Sequence, residues 1–311
     1  MFKKFLSIGN VQIGVGILVF FTLVAIFGEW IVRAVFGYGP FDVDRNAIGQ
    51  PPSAEHWLGT TTSGQDVLAW LVTGTRISMT VGVVSMLIGL GLSVLFGMLA
   101  GYAKGWWGQV INGFILLVGT IPSFPIIVIL AAIFQNANIF IVAIVIGIFE
   151  WAPGARVIRG QTLSLRNRDF NTALTTIGES KARIVFAETF PHLFGVLTPY
   201  LMLLFAAGIG TQAALAFLGM GSAEDASWGL MMNYAMAQNA LFIGAWWWFF
   251  PPGLCIAIIG FATVLINFGI DEVVNPQLDS KRLRLWRKYS RKVEHDPVTP
   301  EKRAQEVKVG T

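Results

Sequence analysis

The chain has 311 residues, of which 54% are hydrophobic and only 13% charged, with 34 Gly, 24 Phe and 11 Trp. Soluble proteins carry about 25% charged residues, which excludes a water-soluble globule as the starting expectation; a disordered chain, charge-rich and poor in aromatics, is excluded too. A single cysteine, Cys255, rules out a disulfide framework or a thiolate metal cluster, and the formal net charge of +4 is informative only through its distribution along the chain.

Five stretches lack Asp, Glu, Lys and Arg: Phe5 to Gly28, Ile77 to Ala103, Gly105 to Phe149, Thr189 to Ala223, and Ala226 to Ile270. A bilayer core about 30 Å thick needs roughly 20 apolar residues per helix. The third stretch is long enough for two spans, broken near Phe134–Asn138, and each of the others holds one. Six transmembrane helices are therefore predicted, near 11–33, 77–102, 108–134, 138–157, 194–218 and 246–270. Lys3 and Lys4 ahead of the first run mimic a secretory signal, but the run exceeds the roughly 15 residues of a signal core. It is read as a retained first helix. The second span carries Ser85, Gly89, Ser93, Gly97 and Gly101 at every fourth position, a small-residue stripe that lets backbones approach; packing within the chain and packing against another subunit both fit it. Pro122 and Pro125 predict a kink in the third span, and Pro251 and Pro252 bend or start the sixth. Trp106, Trp107 and Trp246–Trp248 fall at span ends, where indoles anchor to the interface.

With six spans both termini lie on one side. Placing that side in the cytoplasm leaves only Arg33, Arg45 and Arg76 of the 22 basic residues outside, the asymmetry expected of cytoplasmic loops. The chain is thus read as a multi-pass protein of the cell membrane, plasma or inner. No ionisable residue sits in the middle of a span, which weighs against an ion-coupled carrier. There is no arginine-rich sensor helix and no Thr-Val-Gly-Tyr-Gly filter, which weighs against a channel. His56, His192 and His295 fall in separate loops, so catalysis is not expected and no metal or catalytic residue is assigned. Gly59-Thr-Thr-Thr-Ser-Gly64 has the spacing of a phosphate-binding loop, but Gln65 and Asp66 follow where Lys and Ser/Thr are required. Any energy source lies outside this polypeptide.

Between spans four and five, Leu163 to Ile177 is predicted helical with a break at Gly178, followed by a short helix from Lys181 to Phe190 ending at Pro191. A helix, glycine turn and helix on the cytoplasmic face form a plug that another protein could grip. This segment resembles the EAA loop of ABC-transporter permeases, with Thr172-Ala173-Leu174 at the Glu-Ala-Ala positions, Gly178 at the glycine, Ile184 at the isoleucine and Pro191 at the proline. The chain is similar, more specifically, to the second permease subunit of dipeptide, oligopeptide and nickel importers. His56-Trp57-Leu58-Gly59-Thr60-Thr61, Gly64-Gln65-Asp66, Gly74-Thr75-Arg76-Ile77-Ser78, Leu215-Ala-Phe-Leu-Gly219-Met-Gly221 and Ser227-Trp228-Gly229 carry that resemblance, over roughly residues 10 to 280. The acid of the EAA run is Thr172 here, so contact with an ATPase would rest on shape, on Gly178, and on Arg166, Arg168, Lys181 and Arg183.

The resemblance implies an all-α membrane protein with the type I ABC importer permease fold. Residues 1–36 would hold the first span, 37–76 an external loop, 77–275 the permease core with a coupling loop at 158–192, and 276–311 a cytoplasmic tail. Partners would be a homologous second permease, two ATPase subunits that bind the ATP and Mg, and an extracytoplasmic solute-binding protein. This chain itself would bind no cofactor. Gly59, Thr60, Gly64, Asp66, Arg76 and Trp228 become candidates for the external loop and gate. The tail carries seven bases between Lys281 and Lys292, enough to meet anionic lipid headgroups at about 1 kcal/mol each; nucleic acid is not an expected partner. The solutes implied are oligopeptides or short oligosaccharides. A stand-alone secondary carrier or channel is the competing class.

Overall fold

Asp66 opens the longest helix. Its carboxylate accepts the Ala69 N–H at 2.7 Å, satisfying one of the donors that a helix start leaves free, and α2 then runs from Val67 to Tyr102. At 1.5 Å per residue that is about 54 Å, far more than a bilayer core requires. The expected start at Ile77 is therefore ten residues late: Arg76 marks a polar boundary, whereas the helix itself begins at the side chain able to cap it. The computed structural model describes residues 8–134, 138–180, 183–222 and 224–274, without the side chains of Thr172, Val273 and Val274. Lys3, Lys4, most of the predicted break after Phe134, Lys181 and the 276–311 tail lie outside the described residues.

The other elements are α1 (Gly9–Phe36), α3 (Trp106–Thr120), α4 (Ser123–Ile133), α5 (Ile139–Glu150), α6 (Ala152–Arg166), α7 (Asp169–Thr176), a π-helical turn (Ile184–Thr189) continued by Phe190–His192, α8 (Phe194–Phe217), α9 (Trp228–Ala237) and α10 (Trp246–Val274). Among the described residues there are no strands, only the isolated bridges Val43–Gln65 and Thr60–Asp66. Four helices, α1, α2, α8 and α10, are long and apolar enough to cross a membrane unbroken. Two bent helix pairs are apolar enough when taken together, α3 with α4 at 73° and α5 with α6 at 45°. Counting each pair as one crossing gives the six predicted spans in number, but the fourth runs to Arg166, nine residues past its expected end at 157. The first bend falls at Ile121–Pro122, where proline was expected to break the ladder. Pro251 and Pro252 lie inside α10, a turn after its start at Trp246.

α2 is the central post, and the small-residue stripe explains why. A Cβ on Gly97 would stand 2.8 Å from Ala155 O and from Ile158, and one on Gly101 would stand 2.6 Å from Thr162, all on α6. Gly147 of α5 lies equally close to Ile88, and Gly208 of α8 meets Ser85. The stripe is thus consumed inside the chain, resolving the two readings left open above. Its physical reason is the solvent: in lipid, close van der Waals contact replaces the hydrophobic force as the cause of helix association. Phe20, Ile26, Trp30, Leu117, Phe250 and Phe268 instead face outward on their helices, as an apolar solvent permits.

Three local readings are corrected. The helix expected over Leu163–Ile177 is broken at Asn167–Arg168, because Arg168 takes an extended backbone and its N–H turns back to Leu165 O at 3.1 Å. The short helix expected to stop at Pro191 is a π-helical turn that passes through Pro191 to His192. Its wider i to i−5 bonds place Phe190 N on Val185 O, so the proline sits where the hydrogen-bond pattern changes register. The polar section expected before Trp246 contains the ten-residue helix α9, capped by the Ser227 hydroxyl on Leu230 N at 3.2 Å.

Candidate functional site

The segment between α6 and α8 is attached to the bundle by polar side chains. α6 buries Ala155, Ile158, Thr162 and Leu165, a 3.6-residue repeat facing the second half of α2. At its end Arg166 turns its guanidinium onto the terminal carbonyls of α2, reaching Gly101 O at 3.1 Å, Ala103 O at 3.4 Å and Tyr102 O at 3.5 Å. The last carbonyls of a helix lack intrahelical donors and carry partial negative charge, so a cation from a neighbouring helix satisfies both needs. Asn171 completes the knot. It is 2% exposed, its Nδ2 donates to Leu165 O at 2.7 Å, and its Oδ1 accepts the Tyr102 hydroxyl at 3.3 Å. One amide therefore ties the start of α7 to the ends of both α6 and α2.

α7 ends in a C-cap of Schellman type. Glu179 N donates to Leu174 O at 3.1 Å and Gly178 N to Thr175 O at 3.2 Å, with Gly178 at φ +81°. A Cβ at Gly178 would meet no atom within 4 Å. The left-handed backbone, rather than crowding, is what calls for glycine there. Beside the cap, Ile177 is 74% exposed, and Phe186 on the π-helical turn is 70% exposed. Apolar side chains thus stand out from a polar, hydrogen-bonded segment.

Of the residues singled out from sequence, Arg166 and Ile184 are brought together along one cleft with Asn171, Glu179 and the flank of α2. This cleft has a volume of about 1360 Å³ and walls of Val94, Met98, Leu99 and Phe190. Ala173, Gly178 and Pro191 are exposed, Leu174 is half-buried and Ile184 is buried. Arg168 is exposed, and Arg183 pairs with Glu179 at 3.2 Å. Thr172 lies on α7, and Lys181 is outside the described residues. Asn171 and Tyr102 were missed: each is a polar residue in an unremarkable context, and only folding shows what it touches.

At the other end of α2 the loop 37–66 is folded over the helix start. Asp66, the N-cap of α2, also holds His56, Oδ2 to Nδ1 at 2.8 Å, with Asp44 3.7 Å from the other ring nitrogen; His56 and Asp66 are both buried. Thr60 accepts Gln50 N at 2.9 Å, donates to Ala47 O, and gives its carbonyl to the Trp247 indole at 3.2 Å. Gly59 and Gly64 have φ +72° and +77° and sit against Gln50 O and Asp44 O. Trp228 is fully buried and donates to Leu71 O at 3.0 Å. Of the six external candidates only Arg76 is exposed, 3.6 Å from Glu29. The Tyr38 hydroxyl closes the loop on Glu55 O at 2.8 Å. Burial, reinforced by the negative charge of Asp66 and by its hydrogen bond, pushes that phenol up to about 12. Among the described residues no group of three His, Cys, Asp or Glu could hold a metal ion.

Apolar crossings packed on one post, with a glycine-turned segment tied between α6 and α8, define an all-helical membrane protein. The family described as the binding-protein-dependent transport system inner membrane component matches residues 93–280, from the last third of α2 through α10. The chain is 33% identical over 247 residues to the oligopeptide transport system permease protein OppC of Mycobacterium bovis, covering 79% of this chain and 84% of that protein. It is 30% identical over 269 residues to the dipeptide transport system permease protein DppC of Bacillus subtilis, covering 85% and 81%. It is also 30% identical over 277 residues to the oligopeptide transport system permease protein OppC of the same organism, covering 88% of each. The chain belongs to this family of inner-membrane permease components. It is a multi-pass membrane protein and a transport component rather than an enzyme, and the competing class of stand-alone carrier or channel is set aside.

Proposed function

We propose that this chain is one of two homologous permeases of an ATP-driven peptide importer, and that residues 158–192 are the handle by which partner ATPases move it. The observation that carries the reading is the knot around Asn171. A segment meant to transmit force needs an exposed, shaped surface and a stiff attachment; Ile177 beside the Gly178 cap supplies the first, and Arg166 with Asn171 the second. The peptide class is supported by the names of the relatives, which are oligopeptide and dipeptide permeases. On this reading the handle and both termini are cytoplasmic, which the distribution of Lys and Arg supports. An extracytoplasmic binding protein delivers peptide above the 37–66 loop, and Gly59, Thr60, Gly64, Asp66, Arg76 and Trp228 shape that surface. ATP and Mg stay on the ATPase partners. The apolar cleft beside α2 gives the second permease a face to pack on, and the 276–311 tail meets anionic lipid.

The mechanism is mechanical. Closure of the ATPases on ATP displaces the handle, and the movement passes through α6 to switch the pathway between its two openings. The test is Gly178→Val in the complete transporter reconstituted in proteoliposomes. A β-branched residue at φ +81° disfavours the cap by about 1–2 kcal/mol, so α7 loses its end geometry. Uptake of a labelled tripeptide is expected to disappear while the chain still inserts and the complex still hydrolyses ATP. Unchanged uptake overturns the reading.

A further inference from the structure

The bend between α5 and α6 is held open by a side chain from a third helix. In an unbroken helix Gly154 N–H would donate to Glu150 O. Here it donates at 2.9 Å to the hydroxyl of Tyr200 on α8, and the same hydroxyl donates onward to Glu150 O at 3.0 Å. A phenol is thus inserted into the i to i−4 ladder, a recognised cause of kinking. Pro153, next along, lacks an N–H and leaves Phe149 O without its helical donor. The Ser93 hydroxyl on α2 comes within 2.7 Å of Trp151 O from another side. Gly154 is required by this arrangement, since a Cβ there would overlap the Tyr200 ring. The bend measures 45°.

What lies beyond the bend is fastened together. α6 is packed on Gly97 and Gly101 of α2, capped to it by Arg166, and joined to α7 through Asn171. What lies before it, α5, packs on a different part of α2 through Gly147. The wedge therefore sits at the junction between the arm that carries the handle and the span that continues across the membrane.

We propose that Tyr200 is a positioning residue for the transport cycle: its hydroxyl, wedged into the α5–α6 backbone, sets the bend at Trp151 and makes it the pivot on which α6 and the handle turn. The proposal rests on the reading of residues 158–192 as the handle. The wedge offers two arrangements for this one bond, hydroxyl inserted or Gly154 N–H on Glu150 O directly, while Pro153 keeps the neighbouring bond open in both.

The test uses Tyr200→Phe, which keeps the ring and removes the hydroxyl, in the complete transporter. In a Cys255→Ala chain, spin labels at the exposed residues Ile144 and Gln161 report the bend, and uptake of labelled trialanine per ATP hydrolysed reports coupling. The expected result is a longer label separation as Gly154 N–H closes onto Glu150 O and the bend relaxes towards what Pro153 alone imposes, and a fall in peptide transported per ATP of at least about fivefold. Complex yield and melting temperature should match the parent, which a merely structural tyrosine would not allow. An unchanged separation, or a changed separation with an unchanged ratio, overturns the proposal. If Tyr200→Phe does not assemble, Gly154→Ala with Tyr200→Leu removes the wedge without overlap and carries the same test. Gly178→Val run in parallel separates the two readings. A normal ratio in Gly178→Val removes the handle and with it the pivot, whereas a lowered ratio in Gly178→Val with a normal one in Tyr200→Phe removes the pivot and leaves the handle.

Discussion

Replacing Asn171 by alanine deletes two hydrogen bonds at the root of α7 while leaving the Gly178 cap untouched. The bond to Leu165 O, 2.7 Å and buried, contributes about 1 kcal/mol, and the 3.3 Å bond from Tyr102 about half that. Leu165 O keeps the Arg168 N–H at 3.1 Å, so no carbonyl is stranded and the larger penalty for an unsatisfied buried group does not arise. The sum is about 1.5 kcal/mol, slightly more than tenfold in the equilibrium between docked and released α7. Hydrogen exchange on the assembled transporter in nanodiscs measures this directly. Amides of 171–177 should exchange about tenfold faster, whereas those of 156–165, held by packing on α2, should not change. Tyr102→Phe, which removes only the weaker bond, should give about a twofold effect. If α7 exchange is unaltered in Asn171→Ala, or if α6 accelerates equally, the knot is not what attaches the segment and the argument built on it fails.

Three further outcomes follow from packing, capping and titration. Gly97→Leu forces a side chain into Ala155 and Ile158, at a cost of about 1–3 kcal/mol or more; the folded chain recovered from membranes should drop sharply, whereas Gly91→Ala on the same helix, with open space around it, should be silent. Asp66→Ala removes the cap of α2 and the partner of buried His56 together, about 1 kcal/mol for the cap and about 1–3 kcal/mol for the imidazole left unpaired; thermal unfolding should occur at lower temperature, with Asp66→Asn intermediate because it still caps. For Tyr38 the folded pKa, about 12, lies above the ordinary 10. Its contribution is therefore complete below pH 10 and lost as the pH rises towards 12. The absorbance difference between the parent and Tyr38→Phe should titrate near pH 12; a midpoint at 10 would mean that the loop is not closed on this residue.

Much of this protein was legible in one dimension. The bilayer is a solvent of fixed thickness, so charge-free runs mark crossings whatever the fold, and three of the five runs yielded helices within a few residues of the spans expected at 11–33, 194–218 and 246–270, namely Gly9–Phe36, Phe194–Phe217 and Trp246–Val274. Gly178 was also legible, because a left-handed cap is a local demand of the backbone. The start of α2 was not: the residue that ends a charge-free run is not the residue that caps a helix, and Asp66 does so ten positions earlier. The ten-residue α9 was hidden for a related reason: its largely apolar run, Trp228–Ala237, sits inside a longer charge-free stretch and is too short to cross a bilayer.

Sequence alone determined the medium this chain occupies, the number of times it can cross it and the turn that ends α7, because each depends on composition or on neighbours along the chain. The partner of the small-residue stripe, the fastening of α7 by Asn171 and the insertion of Tyr200 into a helix 46 to 50 residues away were decided only in three dimensions. Those features depend on which carbonyls and amides lack partners after the helices have packed, and that is a property of the assembled bundle.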